Sequence, residues 1–446
     1  MNKQNSPWFY TLYIMLFAGI GGMLYGYDIG VISGALPFMQ QEIGLSTIQL
    51  SMIVAAVLGG GSIATLVSGS LSDRFGRKKL IITAACIFIT GVMCLIFADT
   101  FYGVLFGRII QGIGVGIVTI VVPLYLVETV PHQYRGRSIA IFQCFLTAGI
   151  LLASVVDLKF LENGDWRIMF ACALVPGVLL LLGSYKLCES PRWLFTQGKE
   201  LETKKALLYC NDQVAVEKEL LEMKALQRQH VVKTHLFQKQ YRIPFLIALA
   251  IACLNQMTGI NSLLQFSTFI IMKSGLTSVM VSMLGTLGIT LLNFLTTILA
   301  FFLIDKVGRR PLMLIGTAGI TLSLVFLAAV SFFIPVSALQ GYLTIVGMLF
   351  YIIAFAIGPG VIVWLCLSEI LPTPIRGNGM AVCLFANSLT STLLAGVFLA
   401  IAHVLGYAGN FILCGIATLF YFILIYRFLP ESNQKTLEEI EQTFAN

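Results

Sequence analysis

Apolar stretches long enough to cross a lipid bilayer recur along this chain of 446 residues, and they restrict the possible folds more than any other feature. A hydrocarbon core about 30 Å thick requires about 20 apolar residues in a helix. Only 11% of the residues are charged, whereas a soluble domain carries about 25%. Backbone groups inside lipid must pair within the protein, so the sequence predicts an all-α membrane protein.

The apolar stretches form two groups of six around one polar segment, which predicts twelve transmembrane helices. We expect residues 1–187 and 243–429 to form two six-helix halves. Residues 188–242 alternate charged residues with leucine at helical spacing, which predicts a linker of short amphipathic helices. Residues 430–446 are expected to form a tail, with a helical turn capped by Thr436. The predicted spans are 9–36, 46–70, 79–99, 102–128, 137–160, 166–187, 243–272, 276–304, 311–332, 340–369, 377–402 and 408–429.

The placement of the basic residues predicts the orientation of the chain. They concentrate in loops on one side, at 73–79, 134–137 and 305–310, and in the central polar segment. Lys and Arg are enriched in cytoplasmic loops. Both termini are therefore expected in the cytoplasm, and the short external loops favour a multi-pass protein of a bacterial inner membrane.

Two parts of the sequence repeat each other. "ETVPHQYRG" (128–136) and "EILPTPIRG" (369–377) share the pattern E-x-x-P-x-x-x-R-G, and "DRFGRKK" (73–79) matches "DKVGRRP" (305–311) at nearly the same separation. Parallel repeats of this kind indicate a duplicated six-span unit with a substrate site at the midplane between the two units.

Several motifs in order along the chain resemble the sugar porter family of the major facilitator superfamily. They include "GYDIGVISGA" in the first span, "GRIIQGIGVG" in the fourth, "ESPRWL" after the sixth, "NQMTGIN" in the seventh and "GPGVIVWLCLSEILPTPIRG" in the tenth. The resemblance implies the major facilitator fold and sugar transport by alternating access.

Asp28 is an acid inside the first predicted span. Such a residue is costly unless it pairs, faces water or takes a proton. The resemblance implies that Arg108 in the fourth span lies beside Asp28, and that the two form a proton-coupling site. The alternative is a static ion pair that holds the two spans together.

Neutral amides and an aromatic ring in the middle of the spans suit a sugar, because amides both donate and accept hydrogen bonds. Taken singly, each amide could instead link two helices by a hydrogen bond. The departures at Asn255, Gln265 and Ser388 from the pattern usual in the family leave hexose, pentose and polyol open as substrates. The predicted substrate-binding residues are Gln143, Asn255, Gln256, Asn261, Asn293, Trp364 and Asn387.

Charged residues at the ends of the spans on the basic side predict gating. We expect ion pairs between span ends that hold this face shut and break when it opens. Glycines and prolines in "GVISGALP" and "GPGVIVW" suggest bending helices, with close helix packing as the alternative. The predicted gating residues are Asp73, Arg74, Arg77, Glu128, Arg135, Glu189, Arg192, Asp305, Arg309, Glu369, Arg376 and Glu431.

The function favoured by these patterns is import of a monosaccharide, a hexose or pentose, by proton symport. The alternatives are a facilitative sugar or inositol carrier without proton coupling, a sugar sensor on the same fold, and a drug–proton antiporter. The expected partners are a small sugar, protons and the bilayer, with no nucleic acid, and the unit is expected to work as a monomer. We find no nucleophile–base pair, metal cluster or nucleotide-binding signature in the sequence, so an enzyme, a cofactor and a metal are not expected.

Overall fold

The computed structural model describes residues 7–211, 213–228, 236–238, 241–372 and 374–431, and this part of the chain forms helices joined by turns, without strands. The tail turn predicted at Thr436 lies outside these residues. The helices before the linker, which we call the N-terminal set, are α1 (Pro7–Ile43), α2 (Thr47–Phe75), α3 (Arg77–Ile96), α4 (Phe101–Thr129), α5 (Arg135–Lys159), α6 (Trp166–Ala171) and α7 (Leu174–Ser184).

Three short helices follow, and then the helices that we call the C-terminal set. The linker helices are α8 (Pro191–Thr196), α9 (Glu200–Leu208) and α10 (Gln213–Arg228). The C-terminal set is α11 (Arg242–Met257), α12 (Ile260–Gln265), α13 (Ser267–Lys273), α14 (Val279–Val307), α15 (Arg309–Phe333), α16 (Ala338–Ile357), α17 (Pro359–Ile370) and α18 (Arg376–Phe428).

The prediction of twelve spans is confirmed once α18 is divided. Eleven helical segments in the described part of the chain are long and apolar enough to cross a membrane. The last of them, α18, has 53 residues and breaks at Gly406, where φ is 69° and ψ is 173°. Because this positive φ stops the helical hydrogen-bond ladder, α18 forms the eleventh and the twelfth span.

In two further spans of the described part of the chain, the helix is interrupted at a glycine. The seventh is interrupted between α11 and α12 at Gly259, which has a φ of 88°. The tenth is interrupted between α16 and α17 at Gly358, directly before Pro359. Proline has no backbone N–H and clashes with the preceding turn, so a break at this position follows from the sequence.

The glycines of α1 are used for packing. Gly22, Gly26, Gly30 and Gly34 repeat every four residues and face α5, and a Cβ at Gly22 or Gly26 would overlap the backbone carbonyl oxygen of a residue in α5. Small residues at this spacing let two membrane helices approach closely. Because α1 is continuous from Pro7 to Ile43, the glycines of "GVISGALP" serve close helix packing in this structure and do not mark a bend in the helix.

The two sets meet where α2 packs against α18, where α5 packs against α14, and where α1 packs against α12 and α13. The linker helices pack against the N-terminal set, where the rings of Tyr10 and Tyr209 lie 4.9 Å apart and Arg135 pairs with Glu219 of α10. We call this end of the bundle the linker end and the opposite end the far end.

Candidate substrate and proton sites

Asp28 of α1 and Arg108 of α4 form an ion pair that is closed to solvent. The distance from Arg108 Nη1 to Asp28 Oδ1 is 2.9 Å, and both side chains are 0% exposed. The same Nη1 donates a hydrogen bond to Gln111 Oε1, at 3.0 Å. The guanidinium also lies 5.4 Å from the centre of the Phe170 ring. The structure therefore brings together the two residues predicted for proton coupling.

The pair retains unused hydrogen-bonding capacity. Asp28 Oδ2 and the Nε and Nη2 atoms of Arg108 are buried, and none of them has a hydrogen-bond partner among the residues that the structure describes. A buried pair with open donors and acceptors is less stabilised than a fully hydrogen-bonded one. The arrangement is therefore suited to a change of partner or of protonation state.

Three of the predicted sugar-binding amides form one connected cluster. Gln256 Nε2 donates to Asn387 Oδ1 at 3.2 Å, and Asn261 Nδ2 donates to Gln256 Oε1 at 3.0 Å. Asn387 Nδ2 donates to the carbonyl oxygen of Ala252 at 2.9 Å. The cluster joins the broken seventh span to α18, so a ligand that replaces these bonds would act on both.

The sequence analysis missed Ser391, which belongs to the same cluster. Asn261 Nδ2 donates to Ser391 Oγ at 2.8 Å. Ser391 lies four residues after Asn387 on α18, and residues at this spacing share one helix face. That spacing is the signal by which the hydroxyl could have been found.

The other four predicted substrate residues are placed as follows, without a hydrogen bond to the cluster among the contacts described. Asn255 and Asn293 are buried, and the Oδ1 atom of Asn255 has no hydrogen-bond partner. Gln143 of α5 and Trp364 of α17 are partly exposed. The partial exposure of Gln143 and Trp364 leaves them accessible to a ligand.

Hydroxyl groups connect the two sets toward the far end. Ser33 Oγ of α1 lies 2.8 Å from Ser267 Oγ and 3.0 Å from Thr268 Oγ1, both on α13. Thr290 Oγ1 of α14 donates to Ser154 Oγ of α5 at 3.2 Å. These contacts lie on the far-end side of α1 and α5, so they hold that end together.

At the linker end, the charged residues of the N-terminal set form a network around Arg77. Its Nε and Nη2 atoms reach the two carboxylate oxygens of Glu128 at 2.8 and 2.9 Å, and Nη2 also pairs with Asp73 at 2.9 Å. Glu189 Oε1 accepts from the backbone N–H groups of Arg77 and Lys78. The last two contacts place an anion at the N-terminus of α3, where the helix dipole favours it.

The C-terminal set repeats this arrangement. Glu431 accepts from the backbone N–H groups of Arg309 and Arg310, each at 3.1 Å, at the start of α15. Arg309 lies 3.8 Å from Glu369. The glycine before each of the two helices has the same conformation, with φ of 93° at Gly76 and 95° at Gly308.

The remaining predicted gating residues have more varied surroundings. Arg135 pairs with Glu219 of the linker at 3.4 Å, and Arg376 Nε donates to the carbonyl oxygen of Leu371. Arg74 lies over the ring of Phe75. Arg192 lines a cavity of about 400 Å³ together with Asp73, Arg77 and Glu128. The side chain of Asp305 lies outside the described part of the structure.

Comparison with known proteins agrees with this architecture. A family model described as "Sugar (and other) transporter" matches residues 14–444. The putative metabolite transport protein YwtG of Bacillus subtilis is 35% identical over 445 residues, covering 99% of this chain and 96% of that protein. The galactose-proton symporter of Escherichia coli K12 is 29% identical over 435 residues, covering 97% of this chain and 94% of that protein.

The fold is also that of a solved transporter. The partially occluded inward-open conformation of the xylose transporter XylE from E. coli superposes with a TM-score of 0.83 at 27% identity, covering 96% of this chain and 99% of that one. Twelve spans with this arrangement define a transporter of the major facilitator superfamily. The chain belongs to its sugar transporter family, so it is a multi-pass membrane transporter and not an enzyme.

Proposed function

We propose that this protein imports a monosaccharide by proton symport, with Asp28 as the proton site and Arg108 as its partner. The observation that carries the proposal is the ion pair of Asp28 and Arg108, which is fully buried and incompletely hydrogen-bonded. An acid inside a membrane span either has a partner or takes a proton. Proton coupling requires a carboxyl group that alternates between an ion-paired form and a protonated form.

The position of Asp28 on α1 connects it to the closure of the far end. Ser33 lies five residues later on the same continuous helix and contacts α13 of the other set. Protonation of Asp28 would weaken its attraction to Arg108 and free α1 from α4. A shift of α1 relative to α4 would in turn act on the contact of Ser33 with the C-terminal set.

The amide cluster supports a sugar as the substrate. Gln256, Asn261 and Asn387 are neutral and hold one another by hydrogen bonds, and a sugar hydroxyl can replace each bond because it both donates and accepts. The galactose-proton symporter and the xylose transporter among the relatives support the same class of substrate.

We further propose that the linker end faces the cytoplasm of a bacterial cell, with both termini on that side. The excess of basic residues at the linker end supports this orientation. The far end, which would then face the outside, is held by hydroxyl contacts between the two sets. Alkaline phosphatase fused to the C-terminus should be inactive in cells, and an active fusion would reverse the orientation.

Uptake by proteoliposomes tests the function. A panel of hexoses, pentoses and inositol is offered with and without an imposed pH gradient. We expect one or more sugars to accumulate only with the gradient, and Asp28→Asn to abolish accumulation while counterflow exchange continues. Equilibration of sugar without accumulation in the wild type would instead identify a facilitative carrier, and accumulation that survives Asp28→Asn would remove Asp28 from proton coupling.

A further inference from the structure

A second buried acid, Asp157, lies in the last turn of α5 (Arg135–Lys159). Its relative exposure is 3%. Among the described residues its Oδ1 atom has no hydrogen-bond partner, and the carboxyl group accepts one hydrogen bond from the backbone of Gly34, the single contact that favours its charged form. The contact with α1 is so close that a Cβ at Gly34 would overlap the carboxyl group.

Within the part of the chain that the structure describes, no cation pairs with Asp157. The titratable groups that face it are the phenol of Tyr27 on α1 and the thiol of Cys172 between α6 and α7. The phenol donates to the carbonyl oxygen of Met169 at 2.7 Å. Lys159 is exposed, and its Nζ lies 5.8 Å from the centre of the Phe160 ring.

Three physical effects disfavour a negative charge at this position. The carboxyl group is removed from water, it has no opposite charge beside it, and it lies at the C-terminal end of a helix, where the dipole is negative. A carboxyl group in such surroundings avoids the cost by binding a proton. The unpartnered Oδ1 is consistent with a site that a proton completes.

Asp157 is also placed between two of the contacts that close the far end. Gly34 follows Ser33, whose hydroxyl contacts Ser267 and Thr268 of the other set. Ser154, one turn before Asp157 on α5, accepts from Thr290. An opening of the far end that separated these contacts would admit water beside Asp157.

We propose that Asp157 is a second proton-binding site, which holds its proton while the far end is closed and releases it to water when that end opens. The O–H bond of the carboxylic acid breaks on opening, and the proton passes to water on the far side. On closing, a proton returns from the same side. The proton is therefore not carried across, and Asp157 makes opening dependent on the pH outside without adding to the ratio of protons to sugar.

Infrared spectroscopy of the full-length protein tests the protonation directly. We expect the carbonyl stretching band of a neutral carboxylic acid at neutral pH, and we expect this band to shift when the aspartates carry ¹³C in the carboxyl group. The band should be lost in Asp157→Asn and retained in Asp28→Asn, because the Arg108 guanidinium 2.9 Å from Asp28 favours the charged form of that carboxyl group, whereas Asp157 has no such partner among the described residues. Absence of a ¹³C-sensitive band in the wild type would overturn the proposal without requiring any variant to fold, as would a band that Asp157→Asn retains.

Counterflow exchange tests the link to opening, and this part rests on the proposed sugar transport. The measurement is made in the Asp28→Asn background, which removes the first proton site. When opening of the far end limits the rate of sugar exchange, this rate should rise with pH by at most about tenfold per pH unit, the limit for release of one proton. Asp157→Asn added to this background should remove the dependence. A dependence that is unchanged in the double variant would overturn the role in opening, whereas a wild type that transports no sugar would overturn the proposed function and leave the infrared result standing.

Discussion

Arg108 Nη1 lies between two oxygen atoms, Asp28 Oδ1 at 2.9 Å and Gln111 Oε1 at 3.0 Å. The Arg108 guanidinium thus links Asp28 of α1 to Gln111, which lies on the same helix as Arg108, α4. The guanidinium also lies 5.4 Å from the centre of the Phe170 ring. Its position is therefore fixed by three neighbours: a carboxylate, an amide and an aromatic ring. A lysine ammonium also carries several donors, but it lacks the planar guanidinium that lies against the Phe170 ring and the fixed direction of its N–H groups.

Replacement of Arg108 should therefore show a graded loss of stability. Arg108→Lys keeps the charge but loses the planar contact with Phe170 and the fixed position of Nη1 between Asp28 and Gln111. We expect it to cost about 1.5–3 kcal/mol, the value of a hydrogen bond to a charged group. Arg108→Ala breaks the buried pair and should cost about 3–5 kcal/mol. Thermal unfolding in detergent measures both, and equal stabilities of the two variants would contradict the described geometry.

Gln256→Ala should weaken sugar binding. The amide is joined to Asn261 and Asn387, and loss of one neutral hydrogen bond to a ligand costs about 0.5–1.5 kcal/mol, or roughly a 2- to 10-fold loss of affinity. Equilibrium binding of the transported sugar measures the change. An unchanged affinity would remove Gln256 from the site.

Asn410→Ala is the matched control for this experiment. Asn410 is also a buried amide on α18, but its Nδ2 atom donates to the carbonyl oxygen of Phe398 at 2.8 Å, beside the break at Gly406. We expect this variant to lose stability and to keep the affinity for sugar. A similar loss of affinity in both variants would indicate a general defect of α18.

The fold could be predicted from the sequence because membrane spans follow from composition alone. The break at Gly358 and Pro359 was also visible, since proline at that position has a direct steric consequence. The pairing of Asp28 with Arg108 came from the resemblance to a family. Nothing in the residues between them specifies that α1 and α4 approach each other at those positions.

Other features depend on contacts that a single sequence does not encode visibly. Asp157 lies near the predicted end of the fifth span, and its burial results from the position of Gly34 on another helix. The roles of Glu189 and Glu431 as acceptors at helix N-termini likewise depend on the folded positions of α3 and α15. Long-range packing decides these roles, so the sequence predicted the charged residues but not their partners.

The contact of α1 with α5 makes Gly26→Ala a sensitive test of packing. A Cβ at Gly26 would overlap the carbonyl oxygen of Leu146, so the two helices must move apart, and we expect a loss of about 1–3 kcal/mol from overpacking. Gly69→Ala is the control, because Gly69 of α2 has no atom within 4 Å of the added carbon. Alanine there should be neutral or stabilise the helix by up to about 1 kcal/mol. Equal unfolding temperatures for the two variants would refute the close contact.

Docking of the linker helix α10 should weaken as the pH rises. Burial raises the pKa of Glu219, and Arg135, which pairs with it at 3.4 Å, opposes this effect together with Arg192 and His132, whereas Glu222 reinforces it. A group whose pKa is higher in the docked state favours docking below its ordinary pKa, and this contribution is lost as the pH rises through the higher value.

Limited proteolysis of the linker measures the docking. Cleavage within α10 should become faster as the pH rises above the ordinary pKa of a glutamate, 4.5, and Glu219→Gln, which cannot titrate, should remove this dependence. Because the same protease acts on both proteins at each pH, the ratio of their cleavage rates cancels the pH dependence of the protease itself. A ratio that stays constant across the range would show that Glu219 does not control the docking of α10.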